Sequence, residues 1–437
     1  MKQLMLGFAR EDFSPDKPVR MNSQRTGEYV EDPIFVSCLS FSQGQTRVLL
    51  LSMDLRQMNG HFLDIVKPLV SQATGVPEES LIFNATHNHS YPDISCYDNP
   101  AVVDWRERIG IPAIIRAAKA AVADEKEVTG MAGGTSITDR ISYVRRLQRE
   151  DGTWYGIASA NPSRAPFVAH ESIADPELRA VRITRQGGKD VILVNYQTHA
   201  ASALQQIPEA ICADFVGPLR DRLEAQTGGL VVYLQGACGN TNYTPKLKAS
   251  KEAALWEYRK VGEAMADYAS AALNNAQPLA LGDLQFRMGS TTCYVNHTKD
   301  HLAEIAMQIG EEPDPDKKLE MMHAAGIDNR YERSAIIKRV DMPQTEEMEL
   351  ASLAIGDLAM GFAPVELFDS VGVRFRQASP YPMTFFCGYS LNYRGYIPSH
   401  QVWPHGEYEV VMCHYLPGTG EQIVLGLTEQ MQDMKMA

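Results

Sequence analysis

Long apolar runs are absent from this chain of 437 residues. No stretch approaches the roughly 20 apolar residues that a membrane-spanning helix requires, and charged residues begin before the apolar region of a secretory signal could form. We therefore expect a cytoplasmic protein. Positive charge is also scarce, because 41 Lys and Arg stand against 54 Asp and Glu, for a formal net charge of −13. This balance argues against nucleic acid or an anionic membrane surface as the main partner.

Paired cysteines are lacking as well. The seven cysteines are odd in number and widely scattered, and no two of them form a C-x-x-C pair. This pattern fits reduced thiols and argues against both a disulfide framework and a cysteine-rich zinc module. Internal repeats, low-complexity segments and Pro/Gly/Ser-rich linkers are not visible either. The sequence therefore marks no clean domain boundary.

Short β-rich runs alternate with long helical stretches. Strands are predicted at 34–41, 47–53, 81–85, 178–184, 191–196, 230–235, 348–355 and 358–362, and the clearest helices at 101–124, 214–226 and 251–274. This alternation predicts an α/β architecture of layered mixed or parallel sheets with helices, including substantial parallel pairing. From about residue 279 the pattern becomes strand-rich. We therefore predict an α/β lobe at 1–278 and a C-terminal lobe of the same catalytic unit at 279–437, with a helical insertion at 297–331.

Three histidines follow apolar segments that resemble buried strands. His87 and His89 come after the run 81–85, and His199 comes after the run 191–196. Because alternate residues of a strand point to the same side, we expect His87 and His89 to face one pocket, which His199 joins from a neighbouring strand. A lone histidine at a strand end is more often a hydrogen-bonded core or surface residue. Three at equivalent places favour a metal site, since neutral imidazole suits zinc, copper, iron or nickel.

Other residues could complete a site. Zinc in a hydrolytic site needs three or four N or O ligands and an open position for water. Glu366, after the strand 358–362, and a tyrosine-rich segment at 388–409 are the best later candidates. Cys238 offers a different chemistry, because Gly-Ala-Cys-Gly follows the strand 230–235 as a nucleophile turn would. Asp214 is predicted to be the N-cap of the helix it precedes, or else a partner that orients a ligand histidine.

Several motifs, taken in order, resemble those of the neutral/alkaline non-lysosomal ceramidase family, whose members are zinc amidases. These motifs are Gly7-Phe-Ala-Arg-Glu-Asp-Phe-Ser-Pro15, Leu50-Leu-Ser-Met-Asp-Leu55, Ala85-Thr-His-Asn-His-Ser90, Asp175-Pro-Glu-Leu-Arg-Ala-Val-Arg182, Thr198-His199, Gln235-Gly-Ala-Cys-Gly-Asn240, Pro364-Val-Glu366, and Tyr396 with Tyr408 beyond it. Each motif alone is weak, but their order and spacing are specific. The resemblance covers most of the chain and corresponds to the family's N-terminal catalytic domain.

The resemblance implies a zinc hydrolase with a ceramidase-like α/β catalytic domain. The implied zinc ligands are His87, His199, Glu366 and Tyr396, and the implied polar groups around the scissile bond are His89, Arg145 and Tyr408. Because two arginines are adjacent in Tyr143-Val-Arg-Arg-Leu147, Arg146 is the alternative to Arg145. The implied partner is a small-molecule substrate.

Three departures from the family change the expected substrate. Asn242 stands where the ceramidases have a serine, and Tyr91-Pro-Asp-Ile-Ser-Cys96 replaces their glycine-rich stretch. We also expect neither their C-terminal immunoglobulin-like domain nor their secretion signal. The predicted reaction is therefore hydrolysis of a small polar amide and not of long-chain ceramide. The alternatives are a metal-dependent esterase or lactonase, a cysteine hydrolase that uses Cys238, and a non-catalytic metal-binding protein.

Overall fold

Nine strands of the protein form one large mixed sheet. The computed structural model describes residues 2–21, 25–157, 159, 161–243, 247 and 256–436. The strands of the sheet are β1 (Leu4–Asp12), β2 (Phe35–Gln43), β3 (Thr46–Met53), β4 (Leu81–Ala85), β5 (Lys126–Ile137), β6 (Glu177–Arg185), β7 (Val191–Tyr196), β8 (Leu230–Gln235) and β9 (Gln277–Pro278). They lie in the order β8-β7-β6-β5-β1-β2-β3-β4, and β9 pairs with β5.

A second sheet packs face to face against the large one. Its strands are β10 (Leu284–Tyr294), β11 (Thr345–Ile355), β12 (Leu358–Phe362) and β13 (Met383–Cys387), and they lie in that order. Apolar side chains from both sheets form one buried cluster, to which Phe41 of β2 and Met360 of β12 belong. The two sheets therefore share a core.

Helices cover the outer faces of both sheets. The α-helices of six or more residues are α1 (Gly60–Thr74), α2 (Pro100–Trp105), α3 (Ile111–Ala123), α4 (Val216–Thr227), α5 (Tyr258–Asn274), α6 (Ala303–Glu311), α7 (Pro315–Ala324), α8 (Arg330–Val340), α9 (Asp369–Ala378), α10 (Glu407–Met412) and α11 (Thr419–Met436). Helices α1, α3, α4 and α5 pack on the large sheet, and α9 and α11 pack on the small one. The molecule thus has four layers, in the order helix, sheet, sheet, helix.

This layered α/β architecture confirms the predicted fold class, although parallel pairing occurs at only three places in the two sheets. Strands β3 and β4, β7 and β8, and β12 and β13 are parallel neighbours. The other pairs in these sheets are antiparallel. Helices α1, α4 and α9 lie in the crossovers of the three parallel pairs. In each pair the two carboxyl ends lie side by side, which is where α/β proteins place their sites.

Two buried amides join the carboxyl ends of strands from the two sheets. Asn84 Nδ2, in β4, donates a hydrogen bond to the carbonyl oxygen of Gly388, just after β13 (2.8 Å). Asn195 Nδ2, in β7, donates to the carbonyl oxygen of Phe386 in β13 (2.9 Å). Loops that leave both sheets therefore meet at one end of the molecule.

Several predicted helices differ from the observed ones in their ends. The stretch 101–124 contains α2 and α3, with a π-helical turn at Arg106–Gly110 between them. Helix α5 begins at Tyr258, and residues 251–255 of the predicted helix 251–274 lie outside the described residues. The predicted insertion at 297–331 is largely helical, but α8 continues to Val340. Within the described part of the chain, no helix is both long enough and apolar enough to cross a bilayer.

Candidate metal centre

Three strand ends bring His87, His199 and Glu366 to one point. His87 follows β4, His199 follows β7 and Glu366 follows β12. Their exposed fractions are 0%, 1% and 3%, respectively. Glu366 Oε2 lies 3.4 Å from His87 Nε2 and 3.3 Å from His199 Nε2. A carboxylate oxygen and two imidazole nitrogens therefore converge on one buried position.

His89 joins this group, but not through the strand geometry that the sequence suggested. Strand β4 ends at Ala85, and His87 has a left-handed φ of 60°. The alternation of side chains in a strand therefore does not explain the arrangement. His89 Nε2 nevertheless lies 3.2 Å from His87 Nε2. His87, His89 and His199 each offer a nitrogen within 4.8 Å of the others, so the three could hold a metal ion.

Backbone carbonyls fix the tautomers of two of these histidines. His87 Nδ1 lies 2.8 Å from the carbonyl oxygen of Arg56, and His199 Nδ1 lies 2.9 Å from that of Thr241. Because a carbonyl oxygen can only accept, each Nδ1 carries the proton and donates the hydrogen bond. A neutral imidazole with its proton on Nδ1 has its lone pair on Nε2, and in both residues Nε2 is the atom that faces Glu366 Oε2. Histidines that bind metals are commonly oriented in this way.

The protonation states of the group suit a metal ion at neutral pH. Burial raises the pKa of Glu366, but His87 and His199 outweigh this effect and hold the pKa well below its usual value. Burial, followed by Arg145 and His87, lowers the pKa of His199 to about 4. Burial and His87 also keep the pKa of His89 well below its usual value. Ionised carboxylate and neutral imidazole are the forms that bind zinc, so these donors fit the predicted ion.

Tyr396 lies beside Glu366 because the two residues are paired in a short parallel ladder. The ladder joins Glu366–Leu367 to Tyr396–Ile397, with Glu366 opposite Tyr396. The Tyr396 hydroxyl accepts a hydrogen bond from Arg145 Nη2 (3.2 Å). Burial and the Glu366 carboxylate raise the pKa of Tyr396 well above its usual value. The structure thus places this fourth predicted ligand next to the other three.

Of the two adjacent arginines, Arg145 points to the candidate metal centre. Its Nη1 lies 3.2 Å from His199 Nε2, and its Nη2 donates to Tyr396. Arg146 is engaged elsewhere, in an ion pair of 2.7 Å with Glu171. Arg145, and not Arg146, therefore faces the candidate metal centre.

Tyr408 stands at the outer edge of the centre. Its side chain is partly buried, and its ring packs edge-on against Tyr396 and Tyr331, with centroid separations of 5.4 and 5.0 Å. Burial and the Glu366 carboxylate raise the pKa of Tyr408 to about 12. Its hydroxyl therefore stays protonated at neutral pH and can donate a hydrogen bond. All the site residues predicted from the sequence thus belong to one contiguous cluster.

Two tyrosines that the sequence did not single out hold Glu366. The hydroxyl of Tyr393 donates to Glu366 Oε1. The hydroxyl of Tyr389 donates to Glu366 Oε2 (3.4 Å), and its ring stacks on that of His87 with centroids 3.9 Å apart. Both belong to the tyrosine-rich segment at 388–409, so the local abundance of tyrosine is the sequence feature that could have pointed to them. Which tyrosines face the site depends on turns at Tyr389 and Leu391, where φ is 55° and 65°.

Cys238 lies in the core next to Tyr389. Its side chain is 0% exposed, and its sulfur lies 2.9 Å from both the Gln235 amide nitrogen and the Tyr389 hydroxyl. Burial raises the pKa of the thiol. A nucleophilic cysteine needs an accessible thiolate and a basic partner. An amide and a phenol supply no base, so this geometry does not favour a cysteine hydrolase.

The prediction that Asp214 caps the helix at 214–226 is wrong. The N-cap of α4 is Phe215, and Asp214 has a left-handed φ of 50° where an N-cap is extended. The Asp214 carboxylate accepts hydrogen bonds from the backbone nitrogens of Ala203 (2.8 Å) and Phe215 (2.7 Å) and from the Tyr243 hydroxyl (2.8 Å). These partners are not ligand histidines either. Through these hydrogen bonds the Asp214 carboxylate links the loop after β7 to the start of α4.

Two solved structures resemble the whole chain. The neutral ceramidase from Pseudomonas aeruginosa has a TM-score of 0.74 and 16% identity, over 100% of this chain and 75% of that chain. A ceramidase complexed with C2 has a TM-score of 0.71 and 16% identity, over 100% of this chain and 76% of that chain. No protein-family model matches the chain, and no curated protein matches it. The fold is thus ceramidase-like, which confirms the fold that the motif resemblance predicted.

Proposed function

We propose that the protein is a zinc-dependent hydrolase that uses a water molecule to cleave the amide C–N bond of a small polar substrate. The observation that carries the proposal is the convergence of His87 Nε2, His199 Nε2 and Glu366 Oε2, with both Nδ1 atoms held by backbone carbonyls. The likeness to ceramidases supports amide hydrolysis as the reaction class.

His87, His199, Glu366 and Tyr396 are the proposed zinc ligands. Two imidazoles, a carboxylate and a phenol oxygen supply the nitrogen and oxygen donors that zinc accepts. When bound, zinc would lower the pKa of a water molecule towards neutrality and polarise the scissile carbonyl. Hydrogen bonds from Tyr393 and Tyr389 to the two oxygens of Glu366 keep that carboxylate in one orientation.

His89, Arg145 and Tyr408 are the proposed groups around the scissile bond. Neutral His89 can contact the attacking water, and it can accept the proton that the water loses. The guanidinium of Arg145 and the protonated hydroxyl of Tyr408 are donors for the carbonyl oxygen as it becomes negative. A single donor of this kind contributes on the order of 3 kcal/mol in other enzymes. A non-catalytic metal-binding protein would need the ligands but not these donors, so their presence favours an enzyme.

The zinc-loaded protein should hydrolyse a small polar amide and show absent or marginal activity on long-chain ceramide. The side chains identified at the candidate centre are histidines, tyrosines, a glutamate and an arginine. Burial of two alkyl chains would instead require a large apolar surface, at roughly 25 cal/mol per Å². The measurement is product release from a panel of N-acyl compounds, sugar amides, esters and lactones, beside a fluorescent long-chain ceramide in detergent.

Chelator-treated protein is the control for that panel, and zinc should restore its activity. Turnover of esters or lactones alone would favour the esterase alternative. Efficient ceramide turnover without cleavage of any soluble amide would mean that Asn242 and the segment 91–96 do not change the substrate class as proposed.

Cys238→Ser should leave kcat within a few-fold of wild type, because the nucleophile is taken to be water and the buried thiol is protonated. The same panel provides the measurement, with zinc content and Tm determined in parallel. Loss of turnover with zinc content and Tm unchanged would instead establish a mechanism based on cysteine.

A further inference from the structure

Four buried charged side chains of alternating sign form a line that begins at Arg145. Arg145 Nε donates to Glu409 Oε1 (2.7 Å), Arg146 Nη1 donates to Glu409 Oε2 (3.0 Å), and Arg146 Nε donates to Glu171 Oε2 (2.7 Å). Side-chain exposure is 5% for Arg145, 0% for Glu409, 1% for Arg146 and 5% for Glu171. Each charge therefore has an opposite charge beside it in a region that excludes water, as buried ions require.

Glu409 contacts both arginines and follows Tyr408 in the first turn of α10. Burial raises the pKa of Glu409, but Arg145 and Arg146 outweigh this effect and keep the pKa below its usual value. The carboxylate is thus ionised at neutral pH, and its hydrogen bonds to the guanidinium groups are of the stronger, charge-assisted kind. One short segment of chain therefore fixes Tyr408 and Arg145 relative to each other.

The bond to Glu409 sets the direction of the Arg145 guanidinium. A guanidinium is planar and rigid, so a fixed Nε also restricts where the two Nη atoms point. Here Nη1 meets His199 Nε2 and Nη2 meets the Tyr396 hydroxyl, each at 3.2 Å, and Nη2 also donates to the carbonyl oxygen of Gly239 (2.9 Å). Glu366 lies just beyond the same nitrogen of His199. Without Glu409, neutral partners such as the Gly239 carbonyl would be left to hold the guanidinium, and we expect its attraction to the Glu366 carboxylate to shift it.

We propose that Glu409 is a positioning residue for the hydrolysis and that it acts through Arg145. The inference rests on the proposed function of the candidate metal centre. Glu409 does not touch the reacting atoms. Its carboxylate keeps the Arg145 guanidinium directed at the oxygen that becomes negative and away from the ligand Glu366. A displacement of about 1 Å in such a group can lower a rate about 100-fold.

Glu171 provides a matched control. It is a carboxylate of similar burial in the same line of charges, and it pairs with Arg146 and His405. Glu171→Gln therefore removes a buried charge while the bond between Arg145 and Glu409 remains. Both Glu409→Gln and Glu171→Gln should lower Tm, so stability does not distinguish them. Catalysis should.

The test measures kcat and KM of the zinc-loaded variants on the best substrate of the panel. We expect Glu409→Gln to lower kcat about 10- to 100-fold with KM within about threefold, and Glu171→Gln to keep kcat within about threefold. In an Arg145→Met background, Glu409→Gln should change kcat little, because the residue through which it acts is gone. This double variant also removes a cation and an anion together, so it is the informative protein if Glu409→Gln alone fails to fold.

A second measurement does not depend on turnover. In protein made with isotope-labelled arginine, the Arg145 Nε–H signal should be protected from exchange in the wild type and in Glu171→Gln, and less protected in Glu409→Gln, because a neutral amide oxygen accepts a weaker hydrogen bond than a carboxylate does. Wild-type kcat in Glu409→Gln, equal losses in both single variants, or an undiminished loss in the Arg145→Met background would each overturn the inference. A wild-type protein that turns over nothing in the panel would instead overturn the proposed function.

Discussion

His87→Ala and His199→Ala should each abolish hydrolysis and weaken zinc binding by more than about 100-fold. In other metal sites, loss of a residue that only hydrogen-bonds to a ligand already weakens metal binding by up to about that factor. Each substitution removes an Nε2 that lies within 3.4 Å of Glu366 Oε2, and with it one of only four proposed ligands. The measurements are zinc content after dialysis against buffered zinc, zinc affinity by competition with a chelator, and turnover of the soluble panel.

His301→Ala is the matched control for these variants. His301 is exposed and lies at the start of the helical insertion, in the short turn Asp300–Leu302. The His301→Ala protein should bind zinc and hydrolyse substrate as the wild type does. If His87→Ala or His199→Ala retained the wild-type zinc content and affinity, the ligand assignment would be wrong, and the group of buried histidines would have to serve another purpose.

Three of the four candidate ligands could be singled out from the sequence because each of them follows closely on a buried strand, whereas Tyr396 was implied only by the motif resemblance. Continuous apolar runs such as β4, β7 and β12 are readily recognised. A polar residue just beyond such a run lies where the strand leaves the core. His87, His199 and Glu366 all occupy this place. Their meeting depends on the packing of the two sheets, in which Asn84 of β4 and Asn195 of β7 both donate to carbonyl oxygens at the end of β13.

Residues that reach the site through distant contacts could not be predicted in this way. Glu409 stands in an acidic stretch that is typical of a solvated helix start, yet it is 0% exposed. Its burial depends on Arg145 and Arg146, which lie 264 and 263 residues away in sequence. The pairing of His87 with His89 was predicted for the wrong reason, because a left-handed turn and not a strand brings them together.

Strand β5 shows why part of the fold escaped prediction. Glycine disfavours strands, and β5 contains Gly133 and Gly134 near its middle. Helix α5 approaches the strand so closely that a Cβ at Gly134 would lie 2.1 Å from the carbonyl oxygen of Ala272. The close packing of α5 therefore requires glycine, although glycine has a low propensity for strands. The central position of β5, between β6 and β1, follows only from the tertiary structure.

His89 tests the division between ligands and catalytic groups. It is partly exposed, whereas His87 and His199 are buried. Its ring centroid lies 5.9 Å from that of His199, compared with 4.5 Å between His87 and His199. His87 and His199 each approach Glu366 Oε2, and His89 lies 3.2 Å from His87 Nε2. This geometry favours a place next to the metal position, facing the water and the substrate.

His89→Ala should therefore keep about one zinc per chain and lose about 100- to 1,000-fold in kcat, the range over which a single acid–base or oxyanion group contributes. His89→Gln separates the two roles, because an amide can donate a hydrogen bond to an oxyanion but cannot take a proton from water. Partial recovery of kcat in His89→Gln would assign His89 to the oxyanion, and equal loss in both variants would assign it to the proton. Zinc content and kcat are measured on the same samples. If His89→Ala lost as much zinc as His87→Ala, His89 would be a metal ligand. Arg145 and Tyr408 would then be the groups that face the substrate.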